Sequence, residues 1–189
     1  LTLEADAEEM AGVTLSESHK ITIAKALSKI GVDRLAILGN SPMPSEGEIV
    51  SAKKLIGLDL PVRLDAFVKT SEEIELAKEI GLWGVEILVG VNDRLLTSGN
   101  DRRDVLERCK SLTSRARELG LHPCIFGGDA TRTSEDFLEE VVTTLEPYYD
   151  EFTIADSSGT ISPSPSLSIP SIMSSLMSPS PSLSVGSIP

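Results

Sequence analysis

The sequence predicts an α/β fold with parallel strands, about six strands alternating with five helices. Two observations carry this. A unit recurs in which an amphipathic stretch ends, a glycine follows, and a short apolar run begins within a few residues: Ile30-Gly-Val-Asp33 before Leu35, Ile56-Gly-Leu-Asp59 before Val62, Ile80-Gly-Leu-Trp83 before Val85, and Leu119-Gly-Leu-His122 before Cys124. The apolar runs are short and built from Ile, Leu, Val and Ala, as strands buried on both faces are. Strict alternation of such strands with helices is the signature of a parallel sheet.

Taken in order, Leu1–Leu3 reads as a strand remnant. A helix follows, with Ile23, Leu27 and Ile30 on one face and Lys20, Lys25 and Lys29 elsewhere. Strands are expected over 35–39 and 62–68. Thr70 or Ser71 opens the next helix, with Glu72 and Glu73 at its positive end. A strand over 85–89 precedes a helix whose stripe is Val105, Cys109, Leu112, Ala116 and Leu119, with Arg102, Arg103 and Asp104 as its solvated start. A strand over 124–126 leads to a helix striped by Phe137, Leu138, Val141, Val142 and Leu145, and the last strand covers 152–156. After each helix the glycine is expected to be the left-handed residue that ends it.

No Gly-x-Gly-x-x-Gly follows the first strand, which weakens a nucleotide-binding doubly wound sheet. A complete (β/α)8 barrel takes about 250 residues, whereas the chain has 189. Residue patterns alone therefore leave an open sheet or an incomplete barrel.

Composition excludes several functions. The net charge of −12 argues against a general nucleic-acid or anionic-membrane surface. No apolar run reaches membrane-spanning length. The two cysteines, Cys109 and Cys124, sit in apolar segments, which fits a reducing cytoplasm better than a disulfide framework. The start, Leu-Thr-Leu-Glu-Ala-Asp, lacks the basic and apolar regions of a signal peptide, and there is no initiator Met.

From Ser157 to Pro189 there is no Asp, Glu, Lys, Arg or His. Ser162-Pro-Ser-Pro-Ser-Leu-Ser-Ile169 returns as Ser178-Pro-Ser-Pro-Ser-Leu-Ser-Val185. Proline at this density removes backbone donors, and the tract holds little apolar surface to offset ordering entropy. Residues 1–163 are thus expected to form the folded domain, and 164–189 an irregular Ser/Pro-rich tail. So abrupt a change is also what an altered reading frame or misjoined exon produces.

Three blocks carry a resemblance. Glu9-Met-Ala-Gly-Val-Thr-Leu-Ser16 leads into Ile23-Ala-Lys-Ala-Leu27 and Ile30-Gly-Val-Asp33; Asp129-Ala-Thr-Arg132 is followed by Ser134-Glu-Asp-Phe-Leu138; Ala155-Asp-Ser-Ser-Gly-Thr-Ile-Ser-Pro163 closes the folded part. Together, and in this order over residues 2–163, they resemble the homocitrate, isopropylmalate and citramalate synthases and hydroxymethylglutaryl-CoA lyase, the pyruvate carboxyltransferase-like family. The resemblance implies a (β/α)8 TIM-type barrel, here incomplete, with its site at the carboxyl ends of the strands. It also implies acyl transfer: a C–C bond formed between acetyl-CoA, as co-substrate, and a 2-oxo acid. A divalent metal would polarise the ketone and an Arg would stabilise the oxyanion.

Carried over residue by residue, the implied site is eroded. Asp6 falls on the family's metal-binding Asp and Glu8 on its Glu, while Glu9 replaces Gln, and Ala5 stands where the catalytic Arg belongs. Ala36 occupies the place of the second strand's Glu, and Gly128 that of the Glu before Asp129. Ser157 replaces Thr but keeps the hydroxyl. The His-x-His pair of the metal site has no counterpart, for no His follows His122. The resemblance therefore nominates Asp6 for metal and Glu9, Asp129, Arg132 and Ser157 for substrate, with no catalytic residue. Each has a plainer reading: Asp6 as a solvated carboxylate, Asp129 and Arg132 as a structural ion pair, Asp156 as a cap, Ser157 as a turn residue. His19, His122, Cys124, Asn40 and Asn92-Asp-Arg94 read as structural or loop residues. The expectation is a condensing-enzyme homologue impaired in this form; alternatives are a non-catalytic barrel remnant that binds or regulates a partner, or a truncated product. Two uncovered sheet edges would favour self-association, or a partner that completes the barrel.

Overall fold

The structure, a computed structural model, describes residues 14–39, 43–91, 101–157 and 159, together with the backbone of 182–186. Its elements are α1 (Glu17–Lys29), β1 (Arg34–Leu38), α2 (Glu46–Ile56), β2 (Arg63–Val68), α3 (Ser71–Ile80), β3 (Gly84–Gly90), α4 (Arg102–Glu118), β4 (His122–Gly128), a 3-10 turn (Ala130–Arg132), α5 (Glu135–Leu145), β5 (Glu151–Ala155) and β6 (Ser182–Gly186). The expected strand at Leu1–Leu3 lies outside the described residues. The chain divides into two compact units, Leu1–Glu86 with Arg115–His122, and Ile87–Ser114 with Pro123–Pro189.

In the first unit β1 and β2 run parallel, with Arg34 beside Arg63 and Ala36 beside Asp65. Leu38, not Ile37, then stands beside Ala66, so Ile37 is the extra residue of a β-bulge. Trp83 N–H donates to Leu64 O at 2.9 Å and His122 N–H to Trp83 O at 3.2 Å, which carries the ladder on to the start of β3 and of β4. Leu35, Ile37, Leu64, Val68, Leu55, Ile74, Ala77 and Ile80 form the buried core.

The helices begin where side chains satisfy their free N–H groups. Ser45 and Glu48 form a reciprocal capping box on α2, and Thr70 and Glu73 one on α3. Thr70, not Ser71, is therefore the cap. Gly81 ends α3 in the left-handed conformation, φ 90°. Gly57 departs from expectation: it stays right-handed at φ −66°, and Asp59 takes the positive φ of 49°. Two residues later the chain reverses all the same, because Asp tolerates that conformation better than most residues.

The orientation of α1 also differs. Its buried positions are Lys20, Ala24 and Ser28 rather than the Ile23, Leu27 and Ile30 stripe. Ile30 is the C-cap residue and is 76% exposed. Ala24 and Ser28 have little side chain to hold the helix backbone away from its neighbours, so this face packs closest, and the aliphatic residues flank it half-buried.

In the second unit β4 and β5 are parallel, with Cys124 beside Glu151 and Phe126 beside Thr153. Val91 N–H donates to Gly128 O at 3.3 Å. Val105, Cys109 and Leu112 of α4 and the whole expected stripe of α5 are buried, with Ile87, Val89, Ile125 and Phe152. Phe137 and Phe152 are each 0% exposed, worth about 1.5–3 kcal/mol apiece in transfer free energy. The tail is not irregular throughout, as the sequence suggested. Ser182–Gly186 forms β6, parallel to β5, with Phe152 beside Leu183 and Ile154 beside Val185. This window follows Pro181 and contains no proline, so its backbone donors are intact.

Candidate functional site

The segment after β4 gathers the tips of three strands. At Asp129 the backbone turns left-handed, φ 59° and ψ 29°, and enters the 3-10 turn. Asp129 N–H donates to Ser157 Oγ at 3.0 Å, beyond the end of β5. The Thr131 hydroxyl donates to Asp156 Oδ1 at 2.7 Å. The Thr133 hydroxyl donates to Val91 O, just past β3. Asp129-Ala-Thr-Arg-Thr is thus stitched to the carboxyl ends of both neighbouring strands.

Within this segment Arg132 grips the Asp129 carboxylate. Nε lies 2.8 Å from Oδ1 and 3.0 Å from Oδ2, and Nη2 lies 2.6 Å from Oδ2. The Asp129 side chain is 6% exposed and that of Arg132 44%. The hydrogen bond to Asp129 raises the Arg132 pKa above the usual arginine value against the cost of burial, and the charges of Asp129 and Asp156 add to the rise. Guanidinium has five N–H donors. The bonds to Asp129 use Nε–H and Nη2, which leaves donors on a half-exposed group for an anionic ligand. Sequence reasoning placed Asp129, Arg132 and Ser157 in one site, and the structure brings them together. Asp156 joins them through Thr131. Ala5, Asp6, Glu8 and Glu9 lie outside the described residues.

Gly128 and Ala36, where the resemblance implies a carboxylate, differ in their surroundings. A Cβ built on Gly128 would meet Val89 O at 3.4 Å and Leu88 Cδ1 at 3.8 Å, ordinary contacts. The first atom of a side chain would fit there, so packing does not explain the glycine. Ala36 is 2% exposed and paired with the fully buried Asp65, so a longer acidic side chain there would enter an already charged layer.

That charged layer, in the first unit, was not foreseen. Arg34 Nε stands 3.4 Å from Asp65 Oδ2, and Arg34 Nη2 3.1 Å from Glu86 Oε1. The available signal was a charged residue at the edge of or inside each apolar run: Arg34 before Leu35, Asp65 between Leu64 and Ala66, Glu86 between Val85 and Ile87. Nearby, an apolar recess lined by Leu38, Gly39, Ala66, Phe67, Val68 and Ala77 has Glu73 as its one acidic group among the described residues. The Glu73 carboxylate already accepts from Lys69 N–H and Thr70 N–H, at 2.5 and 3.0 Å.

The divalent metal that the resemblance implies does not fit the described residues. No three His, Cys, Asp or Glu side chains converge among them, and a zinc or magnesium centre draws on several such donors. Asp129 is committed to Arg132, and Asp156 accepts from Thr131.

Comparison with known proteins agrees with this architecture. The chain is 31% identical over 162 residues to homocitrate synthase AksA of Methanothermobacter thermautotrophicus, covering 84% of this chain and 41% of that protein. It is 32% identical over 165 residues to the 2-isopropylmalate synthase of Sulfolobus acidocaldarius, covering 84% and 42%. It is 30% identical over 162 residues to the putative (R)-citramalate synthase CimA of Methanosphaerula palustris, covering 84% and 32%. The chain thus spans well under half the length of these relatives. Among solved structures, HMG-CoA lyase from Bacillus subtilis, a TIM barrel, superposes with a TM-score of 0.76 at 17% identity, over 95% of this chain and 64% of that one. DHDPS from Cyanidioschyzon merolae gives 0.68 at 16% identity, over 98% and 62%. The HMGL-like family model matches residues 4–185, and the chain belongs to the HMGL-like family.

Proposed function

We propose that this chain is a homologue of the acetyl-CoA-dependent 2-oxo-acid condensing enzymes that does not, in this form, catalyse the condensation by itself. The observation that supports this best is the state of the strand tips. The Asp129 carboxylate is closed onto Arg132, and Ala36 and Gly128 offer no acid or base where the resemblance expects one. General acid–base chemistry needs a titratable group within reach of the reacting proton, and the described tips provide hydroxyls, a neutralised ion pair and the Asp156 carboxylate, which accepts from Thr131. What persists is an anion-recognising element. Arg132, held by Asp129, with the Ser157 hydroxyl nearby, suits the carboxylate of a 2-oxo acid. Glu9 would add to substrate recognition, and Asp6 would be a lone metal ligand, too few for tight binding of a divalent ion.

A second reading, a binding or regulatory partner that associates with a second copy or another chain of the family, draws on the same geometry. Two buried free thiols suit the reducing cytoplasm in which we place it. Among the described residues no helix is long and apolar enough to cross a membrane.

The test is acetyl-CoA-dependent thiol release over a panel of 2-oxo acids, with calorimetric titration of magnesium, manganese and zinc. The expected outcome is no 2-oxo-acid-stimulated turnover and no micromolar metal affinity. Turnover, or tight metal binding that Asp6→Asn abolishes, would overturn the proposal. Light scattering after size exclusion checks the partner reading, which expects a dimer or larger species rather than a sharp monomer.

A further inference from the structure

We propose that Asp65 and Glu86 hold one proton between them in the folded chain, so that the β1–β2–β3 layer of the first unit is closed by a bound proton and loosens when it is lost. The inference is independent of the reading of the strand tips.

The geometry carries it. Three charged side chains, one each from β1, β2 and β3, meet in a layer otherwise made of aliphatic residues. Asp65 is 0% exposed and Glu86 4%. The Arg34 guanidinium reaches toward both, at 3.4 Å to Asp65 and 3.1 Å to Glu86, and its hydrogen bond goes to Glu86. Neither oxygen of Asp65 accepts a hydrogen bond among the described residues. An ionised carboxylate offers about four acceptor sites and is costly to bury without donors. A protonated one asks for less and can itself donate, and Glu86 on the adjacent strand is the available carboxylate acceptor. Two carboxyl groups that share a site and cannot both ionise resolve the conflict by keeping one proton.

The surrounding charges point the same way. Burial, and then the charge of Glu86, push the Asp65 carboxyl well above the usual range, against Arg34. On β2 itself, the Arg63 guanidinium lies 4.8 Å over the Trp83 ring. At the start of β4 the His122 ring is stacked on the same Trp83 ring, with centroids 4.1 Å apart. From α3 the buried side chains Ile74, Ala77 and Ile80 bring no charge, and its buried Glu73 accepts from the Lys69 and Thr70 N–H groups. Because the folded form of Asp65 takes up its proton more readily than the unfolded chain, its contribution to stability is complete below the usual aspartate range. That contribution is lost as pH rises through the folded value.

The experiment is a carboxyl-carbon NMR titration of the full chain, with urea unfolding followed across the same pH range. The Asp65 signal is expected to titrate well above the exposed carboxylates, and stability to fall over that interval. Glu86→Gln removes the neighbouring charge and should move the Asp65 midpoint down; Arg34→Gln should move it up. Asp65→Asn keeps the shape and should flatten the pH dependence of unfolding. An Asp65 signal that titrates with the exposed carboxylates would refute the shared proton, as would a midpoint that Glu86→Gln leaves in place. If neither charge variant folds, the wild-type titration decides alone.

Discussion

Introducing a carboxylate at position 36 measures how closed the β1–β2 layer is. Ala36 is 2% exposed and its register partner Asp65 0%, and adjacent strands lie about 4.8 Å apart. An ionised Glu at 36 would meet the single negative charge that Asp65 and Glu86 share, at about 5 Å. At an effective dielectric near 20 that repulsion is about 3 kcal/mol. The new side chain can escape by taking a proton. Near pH 7, starting from the ordinary Glu value of about 4.3, this costs about 1.4 kcal/mol per pH unit, or roughly 4 kcal/mol. Both routes give a penalty of about 3–4 kcal/mol beyond that of added volume. Ala36→Gln carries the same volume without the charge, so the difference between Ala36→Glu and Ala36→Gln isolates the ionisation cost. Urea unfolding followed by far-ultraviolet circular dichroism reads it. The difference should be about 3–4 kcal/mol near pH 7 and about 1 kcal/mol near pH 5. The sign follows because the buried Glu would have a raised pKa, so the penalty grows as pH rises. A difference that is small near pH 7, or flat with pH, would show that the position reaches water or a waiting cation, and the account of Ala36 would fail.

Other substitutions probe the remaining features. Phe137→Ala empties a site with 0% exposure and should cost about 3–5 kcal/mol in the same unfolding assay. Thr70→Ala removes one arm of the α3 capping box and should cost about 1 kcal/mol. Both thiols are buried, and burial pushes that of Cys109 up to about 12; neither should react with a thiol-exchange reagent until urea unfolds the chain. Arg132→Lys keeps the charge but loses the forked grip on Asp129. It should weaken retention of 2-oxo acids in a ligand-observed NMR assay while leaving the far-ultraviolet spectrum unchanged.

Periodicity revealed the elements better than their faces. The α5 stripe was legible in full because Phe137, Leu138, Val141, Val142 and Leu145 leave no competing apolar face. In α1 two faces compete, and apolarity alone favoured Ile23 and Leu27, whereas the packed face is made of the small residues Ala24 and Ser28. Helix ends read as a glycine rule were right where glycine is the left-handed residue, and failed at Gly57 because Asp59 can serve instead. The Asp129–Arg132–Ser157 grouping was legible because two short motifs placed these residues at strand ends. The Arg34–Asp65–Glu86 layer was not, since strand pairing, which no local pattern encodes, is what brings three separated charges together.

The bulge at Ile37 bears on every comparison along β1. Side chains of a strand alternate in phase with those of its neighbour, and one surplus residue resets that phase. Ala36 is level with Asp65, yet Leu38, two positions on, is level with Ala66, only one position on. Counting outward from Ala36 by homology therefore misassigns sides beyond the bulge. A donor meant to work alongside β2 near the rim should be chosen from the shifted pairing at Leu38, and not by stepping evenly along the strand.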